Sequence, residues 1–309
     1  MKRVFISCPP MLAEKQQIAD LSAEYEIELV PGDVVQTLTE QELKDILPHY
    51  DGWIAGDDPG SHAVLQTGFD GRLRALVKWG IGVDNIDAQA VSALGLKFAN
   101  TPGMFSNEVA DLAVGYLIAL SRDILAVDKA VRSGNWIKPQ GISLSGKKAG
   151  IVGLGNIGQA LARRLQAMDM KLRGYDPYVK SLDGVSIDDW PTELGSLDFL
   201  FLCCALTDEN YHLISSEVLG QLPDHAFVIN VSRGPLIDEH ALILALQDQR
   251  LAGAALDVFE QEPLDPSSAL MALPKVILGS HNASNTTEAV RATNVKAVRL
   301  MAEFLRSTG

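Results

Sequence analysis

The stretch Ala149-Gly150-Ile151-Val152-Gly153-Leu154-Gly155-Asn156-Ile157-Gly158 decides how this chain is read. Small and apolar residues at its start read as a buried strand, and a helical segment, Gln159–Met168, follows. The three glycines between them stand where a dinucleotide loop needs them. Gly153 permits the tight turn, Gly155 lets backbone amides approach a pyrophosphate, and Gly158 allows close helix–strand contact. The helix directs its positive N-terminus at the phosphates. On these residues alone a methyltransferase fits as well, and glycine turns also arise for structural reasons.

The next strand, Lys171–Tyr175, leads to Asp176, 18 residues after Gly158. A carboxylate there accepts hydrogen bonds from the adenosine ribose hydroxyls and repels a 2′-phosphate. No arginine follows in Asp176-Pro177-Tyr178-Val179-Lys180, so the cofactor expected is NAD rather than NADP.

Outward from this loop, short apolar runs alternate with amphipathic segments, the pattern of a parallel sheet covered by helices. Strands are expected at Ala149–Gly153, Lys171–Tyr175, Phe199–Cys203, Phe227–Val231, Ala254–Val258 and Val276–Gly279. A separate series precedes them at Arg3–Ser7, Ile27–Val30, Gly52–Ala55, Ala75–Trp79 and Lys97–Ala99. Two series suggest two doubly wound units. One long helix is expected over 107–132, ending in Ser133-Gly134, and a last helix over 286–306 that packs back on the first unit. Thr39-Glu40-Gln41-Glu42 reads as a capping box, and Gly95 as the stop of a helix from Asp87.

The 309 residues carry 47% hydrophobic and 21% charged side chains, an ordinary globular balance for one large domain or two of about 150 residues. A net charge of -13 argues against nucleic-acid binding and against an anionic membrane surface. The most apolar stretch, Val109 to Leu120, contains Asp111 and is too short to span a bilayer. Three cysteines are too few for a disulfide framework, and MKRVFISCPP has no apolar core of a signal peptide, so a cytoplasmic location is expected.

In open α/β sheets, ligands bind outside the carboxyl ends of the strands. Three strands end in chemically useful residues: Phe227–Val231 in Ser232-Arg233, Ala254–Val258 before Glu262, and Val276–Gly279 in Ser280-His281. Singly, each is explained as a surface or loop residue. Together they make a hydride-transfer site. Arg233 binds a carboxylate bidentately, and His281 is the side chain suited to proton donation near neutral pH. Glu262 beside it favours the imidazolium and fixes the tautomer. Asp257 is a further candidate, toward a nicotinamide carboxamide. The other histidines, His49, His62, His212, His225 and His240, lack such company and read as structural or exposed. No metal site is expected.

Taken together, these residues resemble the D-isomer-specific 2-hydroxyacid dehydrogenases over nearly the whole chain. The resemblance takes in 78–87 (KWGIGVDNID), Asn100-Thr101-Pro102-Gly103, Val109-Ala110-Asp111, the glycine loop with Asp176, 230–234 (NVSRG), Asp257-Val258-Phe259 and Glu262-Pro263, and His281. The Arg-to-Glu interval of 29 residues and the Glu-to-His interval of 19 are like those of the family. It implies a Rossmann NAD-binding domain (101–282) inserted in a flavodoxin-like substrate domain (1–100 and 283–309). Arg233, Glu262 and His281 would then be the catalytic trio, in a cleft that closes on a small 2-hydroxy or 2-oxo acid. It further implies that Ile81 and Gly82 hold the substrate carboxylate and that Asn156 and Ile157 cover the pyrophosphate. Cys204, Val231 and Asp257 match cofactor-contacting positions, and the resemblance implies a homodimer.

The sequence looks most like the phosphoglycerate-dehydrogenase-like branch, in which Lys78 matches a cationic phosphate contact. Two departures set it apart. Gly56-Asp57-Asp58-Pro59-Gly60 offers two acids where those enzymes often carry an arginine. These acids either repel a phosphate, bind substrate hydroxyls, or form an acidic exposed turn. Asp111 replaces the more usual glutamate. With the chain ending at Gly309, the regulatory domain of some phosphoglycerate dehydrogenases, and its feedback by serine, are not expected. The competing class is an NAD-sensing binding protein, like the corepressors that resemble this family and keep the trio.

Overall fold

The computed structural model describes residues Met1–Ser307. In chain order the strands are β1 (Lys2–Ile6), β2 (Ile27–Pro31), β3 (Gly52–Ala55), β4 (Ala75–Lys78), β5 (Lys97–Asn100), β6 (Lys148–Val152), β7 (Lys171–Tyr175), β8 (Val185–Ile187), β9 (Phe199–Leu202), β10 (Phe227–Asn230), β11 (Gly253–Leu256) and β12 (Val276–Leu278). The helices are α1 (Pro9–Ala13), α2 (Lys15–Tyr25), α3 (Glu40–Ile46), α4 (His62–Asp70), α5 (Ala88–Leu94), α6 (Ser106–Ser121), α7 (Ile124–Arg132), α8 (Asn156–Gln166), α9 (Ser216–Leu219), α10 (Glu239–Gln247) and α11 (Thr287–Arg306).

The chain divides into two compact units, Met1–Phe105 with Asn285–Gly309, and Ser106–Ser284. The divisions fall slightly later along the chain than the expected 100/101 and 282/283. The first unit holds a parallel sheet in the order β2-β1-β3-β4-β5, the flavodoxin-like arrangement. β3 and β4 are buried along their whole length, as strands covered on both faces must be. One cover is α11, which packs on β3 and β4. Its Asn294 accepts a hydrogen bond from the Trp79 indole at 2.8 Å. Fully buried Met301 lies so close to Gly52 that a Cβ there would stand 2.4 Å from its sulfur. Thr39 and Glu42 form the capping box of α3, and Gly95 ends α5 at φ 66°.

The second unit is a seven-stranded parallel sheet, β12-β11-β10-β9-β6-β7-β8. Order reverses between β6 and β9, so its switch point lies at the glycine loop after β6. β8 was not among the expected strands: it is three residues long, and none of them is buried.

The expected single helix over 107–132 is instead two, α6 and α7. The Ser121 carbonyl, which a continuous helix would give to Leu125, accepts from the Ile142 amide at 2.8 Å. The Ser121 hydroxyl donates back to Leu117 at 2.7 Å, and Asp123 turns into the left-handed region at φ 50°. No described helix is long and apolar enough to cross a membrane.

Candidate active site

Close packing explains two of the three glycines of the loop. Gly153 (φ +91°) lies against the backbone of Cys203 and Cys204, where a Cβ would approach within 2.5 Å. A Cβ on Gly158 would stand 2.0 Å from the Gly153 carbonyl, so the helix rests directly on the strand end. Gly155 is different: its Cβ would meet nothing within 4 Å. Thr39, Ser61, Asp87, Ser215, Asp238 and Thr286 cap their helices with side chains, but α8 starts on Gly155 with no side-chain cap. Open space over bare amide donors is what a pyrophosphate requires. Asn156 and Ile157 are the first residues of that helix.

Asp176 is tied to the same loop. Its Oδ2 accepts from Leu154 N at 2.8 Å, and its Oδ1 from Tyr178 N and Val179 N at 2.8 and 3.0 Å. Partial burial works against its charge, but these backbone amides outweigh it and hold the carboxyl below the usual range. The cleft beside it is lined by Lys180, Ile187, Asp188, Asp189 and Thr192. Acids outnumber Lys180 there, and Arg173 is already paired with Asp188 at 2.7 Å, an environment suited to ribose hydroxyls rather than a 2′-phosphate. Cys204 takes part through its backbone, its carbonyl accepting from the Ser232 hydroxyl. Burial pushes its thiol up to about 11. Val231, next to Ser232, is buried.

At the neighbouring strand ends, the Glu262 and His281 side chains meet. His281 Nδ1 lies 2.7 Å from Glu262 Oε2, with both side chains roughly one-quarter exposed. Glu262 Oε1 accepts from Phe259 N at 3.0 Å, which fixes the carboxylate. The residue after Arg233 packs on the Phe259 backbone. A Cβ on Gly234 would come within 1.9 Å of the Phe259 carbonyl group, so the Arg233 turn is pressed against the segment that holds Glu262. Fully buried Asn230 sets that turn, donating to the Arg233 carbonyl at 2.8 Å and accepting from Ser232 N at 3.0 Å. The Arg233 Nη1 donates to the Ser232 carbonyl at 2.9 Å.

Asp257 is buried beneath the His281 turn, accepting from Tyr116 Oη at 3.0 Å, Asn282 N at 3.2 Å and Ala283 N at 2.8 Å. Its carbonyl also accepts from His281 N at 2.7 Å, where His281 sits at φ 54°. Sequence reasoning missed Tyr116, Gly234 and the role of Asn230. An Asn at a strand end followed by Arg-Gly is a turn signal that marks two of them. Tyr116 lies 141 residues from Asp257 and leaves no local trace.

In the first unit, Lys78 ends β4 with its side chain 3% exposed, and its ammonium donates to Asp57 Oδ1 at 3.0 Å and to Trp79 O at 3.1 Å. The following loop is pinned by Thr101 and Asn100, which bond Gly80 N (2.8 Å) and Ile81 O (2.7 Å); Gly82 continues it. Asp58 is no exposed turn residue: it is fully buried, receiving Ser7 Oγ, Leu38 N and Gly56 N. Burial raises its carboxyl's pKa despite these bonds.

His212, Asp238 and Glu260 gather outside this site, but their acceptors are engaged, His212 with Glu260 at 2.7 Å and Asp238 as the cap of α10.

A doubly wound sheet with a dinucleotide loop, a carboxylate tied to that loop and a His–Glu pair at the neighbouring strand ends has the parts of a nicotinamide-dependent dehydrogenase. Residues 114–283 match the family model described as D-isomer specific 2-hydroxyacid dehydrogenase, NAD binding domain. A glyoxylate reductase of Thermofilum pendens is 38% identical over 245 residues, 76% of this chain and 72% of that protein. A D-3-phosphoglycerate dehydrogenase of Methanocaldococcus jannaschii is 35% identical over 76% of this chain and 46% of its own length. Among solved structures, the apo-structure of D-lactate dehydrogenase from Escherichia coli superposes with a TM-score of 0.85 at 29% identity, covering 99% of this chain and 98% of that one. The chain belongs to the D-isomer specific 2-hydroxyacid dehydrogenases, oxidoreductases that use NAD.

Proposed function

We propose that the chain reduces a small 2-oxo acid of the size of glyoxylate with NADH, using Arg233, Glu262 and His281. The 2.7 Å contact between Glu262 and His281 Nδ1 carries this reading. With Nδ1 committed to Glu262, proton transfer to substrate falls to Nε2. The bound nicotinamide supplies the hydride. Arg233 anchors the substrate carboxylate through its planar fork, and His281 Nε2 delivers the proton that the new alkoxide oxygen takes up. In the reverse direction His281 accepts that proton. Glu262 keeps the ring in one tautomer and one orientation, and Asp257 positions the turn that carries it.

Gly153, Gly155, Asn156, Ile157 and Gly158 would hold the pyrophosphate, Asp176 the ribose, and the segments of Cys204 and Val231 the remaining cofactor wall. Similarity to a glyoxylate reductase supports the small substrate. A homodimer is supported by α7, no residue of which is buried, and by exposed Leu125 and Trp136 nearby. Unbridged Cys8, Cys203 and Cys204 support a reducing, cytoplasmic setting.

The test is NADH consumption at 340 nm with glyoxylate, hydroxypyruvate, 3-phosphohydroxypyruvate and pyruvate, with NADPH in parallel. Turnover of at least one unphosphorylated acid with NADH is expected. His281→Ala should lose about 100- to 10,000-fold in kcat while still binding NADH. Unchanged turnover in that variant would remove His281 from the chemistry. Tight NADH binding with no turnover of any acid would replace the reading with a cofactor-sensing binding protein.

A further inference from the structure

We propose that His212 and Glu260 form an outer brace that positions Glu262 for its contact with His281. Their role deepens the reading of the site given above and rests on it. All of these residues belong to the second unit.

Glu260 and Glu262 sit on one short loop but are tied to different parts of the unit. Phe259 is buried, and its amide donates to Glu262 Oε1 at 3.0 Å, while Glu262 Oε2 meets His281 Nδ1 at 2.7 Å. Glu260 turns to other elements. Its Oε1 lies 2.7 Å from His212 Nε2 and accepts from Glu239 N at 3.0 Å. Its own amide donates to Glu239 Oε2 at 3.3 Å. The first residue of α10 and the segment ahead of α9 therefore grip the loop two residues before Glu262.

His212 is itself held. Its ring stacks on Tyr211 with centroids 4.1 Å apart, and its backbone lies in the left-handed region at φ 53°. Its amide donates to Pro235 O at 2.8 Å, and Ile214 N donates to Leu236 O at 2.9 Å. The segment 212–214 is thus stitched to the turn that follows Arg233, and the imidazole reaches Glu260 from a fixed base.

The charges at this corner explain why a donor is needed. Ligand atoms of His212, Asp238 and Glu260 all lie within 4.8 Å of one another, and Glu239 adjoins them. Burial raises the pKa of the Glu239 carboxyl, and the Glu260 charge adds to the rise although Glu260 N donates to it. His212 supplies a side-chain N–H to a carboxylate that otherwise faces like charge. Without it the loop is pushed off α10, and Glu262, two residues on, moves with it.

The experiment measures kcat, the KM for NADH, the KM for the 2-oxo acid that wild type reduces best, and the melting temperature. The proteins compared are wild type, His212→Ala, His212→Gln, Glu260→Ala and His212→Ala/Glu260→Ala. His212→Ala should lower kcat about three- to thirtyfold, the range found for residues that act through a packed network. Both KM values should stay nearly unchanged, because the backbone bonds from 212–214 to the turn after Arg233 survive in every variant. His212→Gln, whose side-chain amide can donate to Glu260, should recover most of kcat. Alanine and glutamine meet the same φ, so the difference between them reads the side-chain bond. Glu260→Ala should lose at least as much as His212→Ala, and the double variant no more than Glu260→Ala alone.

An unchanged kcat in folded His212→Ala overturns the proposal, as does a His212→Gln protein as slow as the alanine variant. Losses that simply add in the double variant overturn it too. Should His212→Ala not fold, Glu260→Ala set against His212→Gln carries the same comparison. Unchanged turnover in His281→Ala, or none of any 2-oxo acid by wild type, would instead bring down the underlying reading, and the brace with it.

Discussion

His281 is held from two directions, its ring by Glu262 and its backbone by Asp257, and the second hold reaches across the unit to Tyr116. Tyr116→Phe removes one of the three donors to a buried carboxylate, a change that costs about 1.5–3 kcal/mol when a charged group is involved. The expected result is a lower melting temperature and a fall in kcat with the KM for NADH nearly unchanged, read by calorimetry and steady-state kinetics. Equal loss in all three would mean general damage to the fold. The thiols give a second prediction. Burial raises all three, Cys204 to about 11, so none is a thiolate near neutral pH. Iodoacetamide at pH 7.5 should label the native chain far more slowly than the chain in urea. The meeting of Glu262 and His281 was legible in the sequence because each follows a short apolar strand. The hold on His281 was not, since its partner enters from a different helix.

Elements ending on backbone contacts rather than side chains are where single substitutions do most harm. Gly158→Ala places a methyl 2.0 Å from the Gly153 carbonyl, and neither the strand end nor the helix can yield without opening the loop. Overpacking of this kind costs about 1–3 kcal/mol. NADH affinity should fall more than tenfold in a calorimetric titration, whereas Gly155→Ala, in open space, should weaken binding without lowering the melting temperature. Asp176 adds a pH dependence. Its folded-state pKa lies below the unfolded value of about 3.9, so its contribution is complete above that pH and is lost as pH falls through the folded value. The urea midpoint of Asp176→Asn should lie below wild type at pH 7, and the gap should narrow as the pH falls below about 3.9. Strands and caps were legible at this scale because period and capping are local signals. The break between α6 and α7 was not, because the amide that causes it, Ile142, arrives from outside the helix. β8 escaped for a related reason: three partly exposed residues at a sheet edge carry no apolar run.

For the whole molecule, the two-unit division was foreshadowed by the restart of strand alternation near Ala149. The self-association proposed for the second unit rests on surface the sequence did not flag. Leu125 is 55% and Trp136 79% exposed, on a segment with no buried residue in its helix. Leu125→Glu/Trp136→Glu should convert a dimer to a monomer in light scattering; a monomeric wild type would reject the dimer. One further consequence follows from where α11 belongs. β3 and β4 emerge from the ribosome among the first hundred residues, but the helix that covers them begins only at Thr287. At about 5–20 residues per second, the intervening segment takes roughly ten to forty seconds to be made. For that time Trp79 and Gly52 lack their partners Asn294 and Met301, and the first sheet is a nascent chain with one face unfinished. The order of synthesis thus makes the inserted unit the first able to close, while the early strands wait for the last helix to complete their sheet.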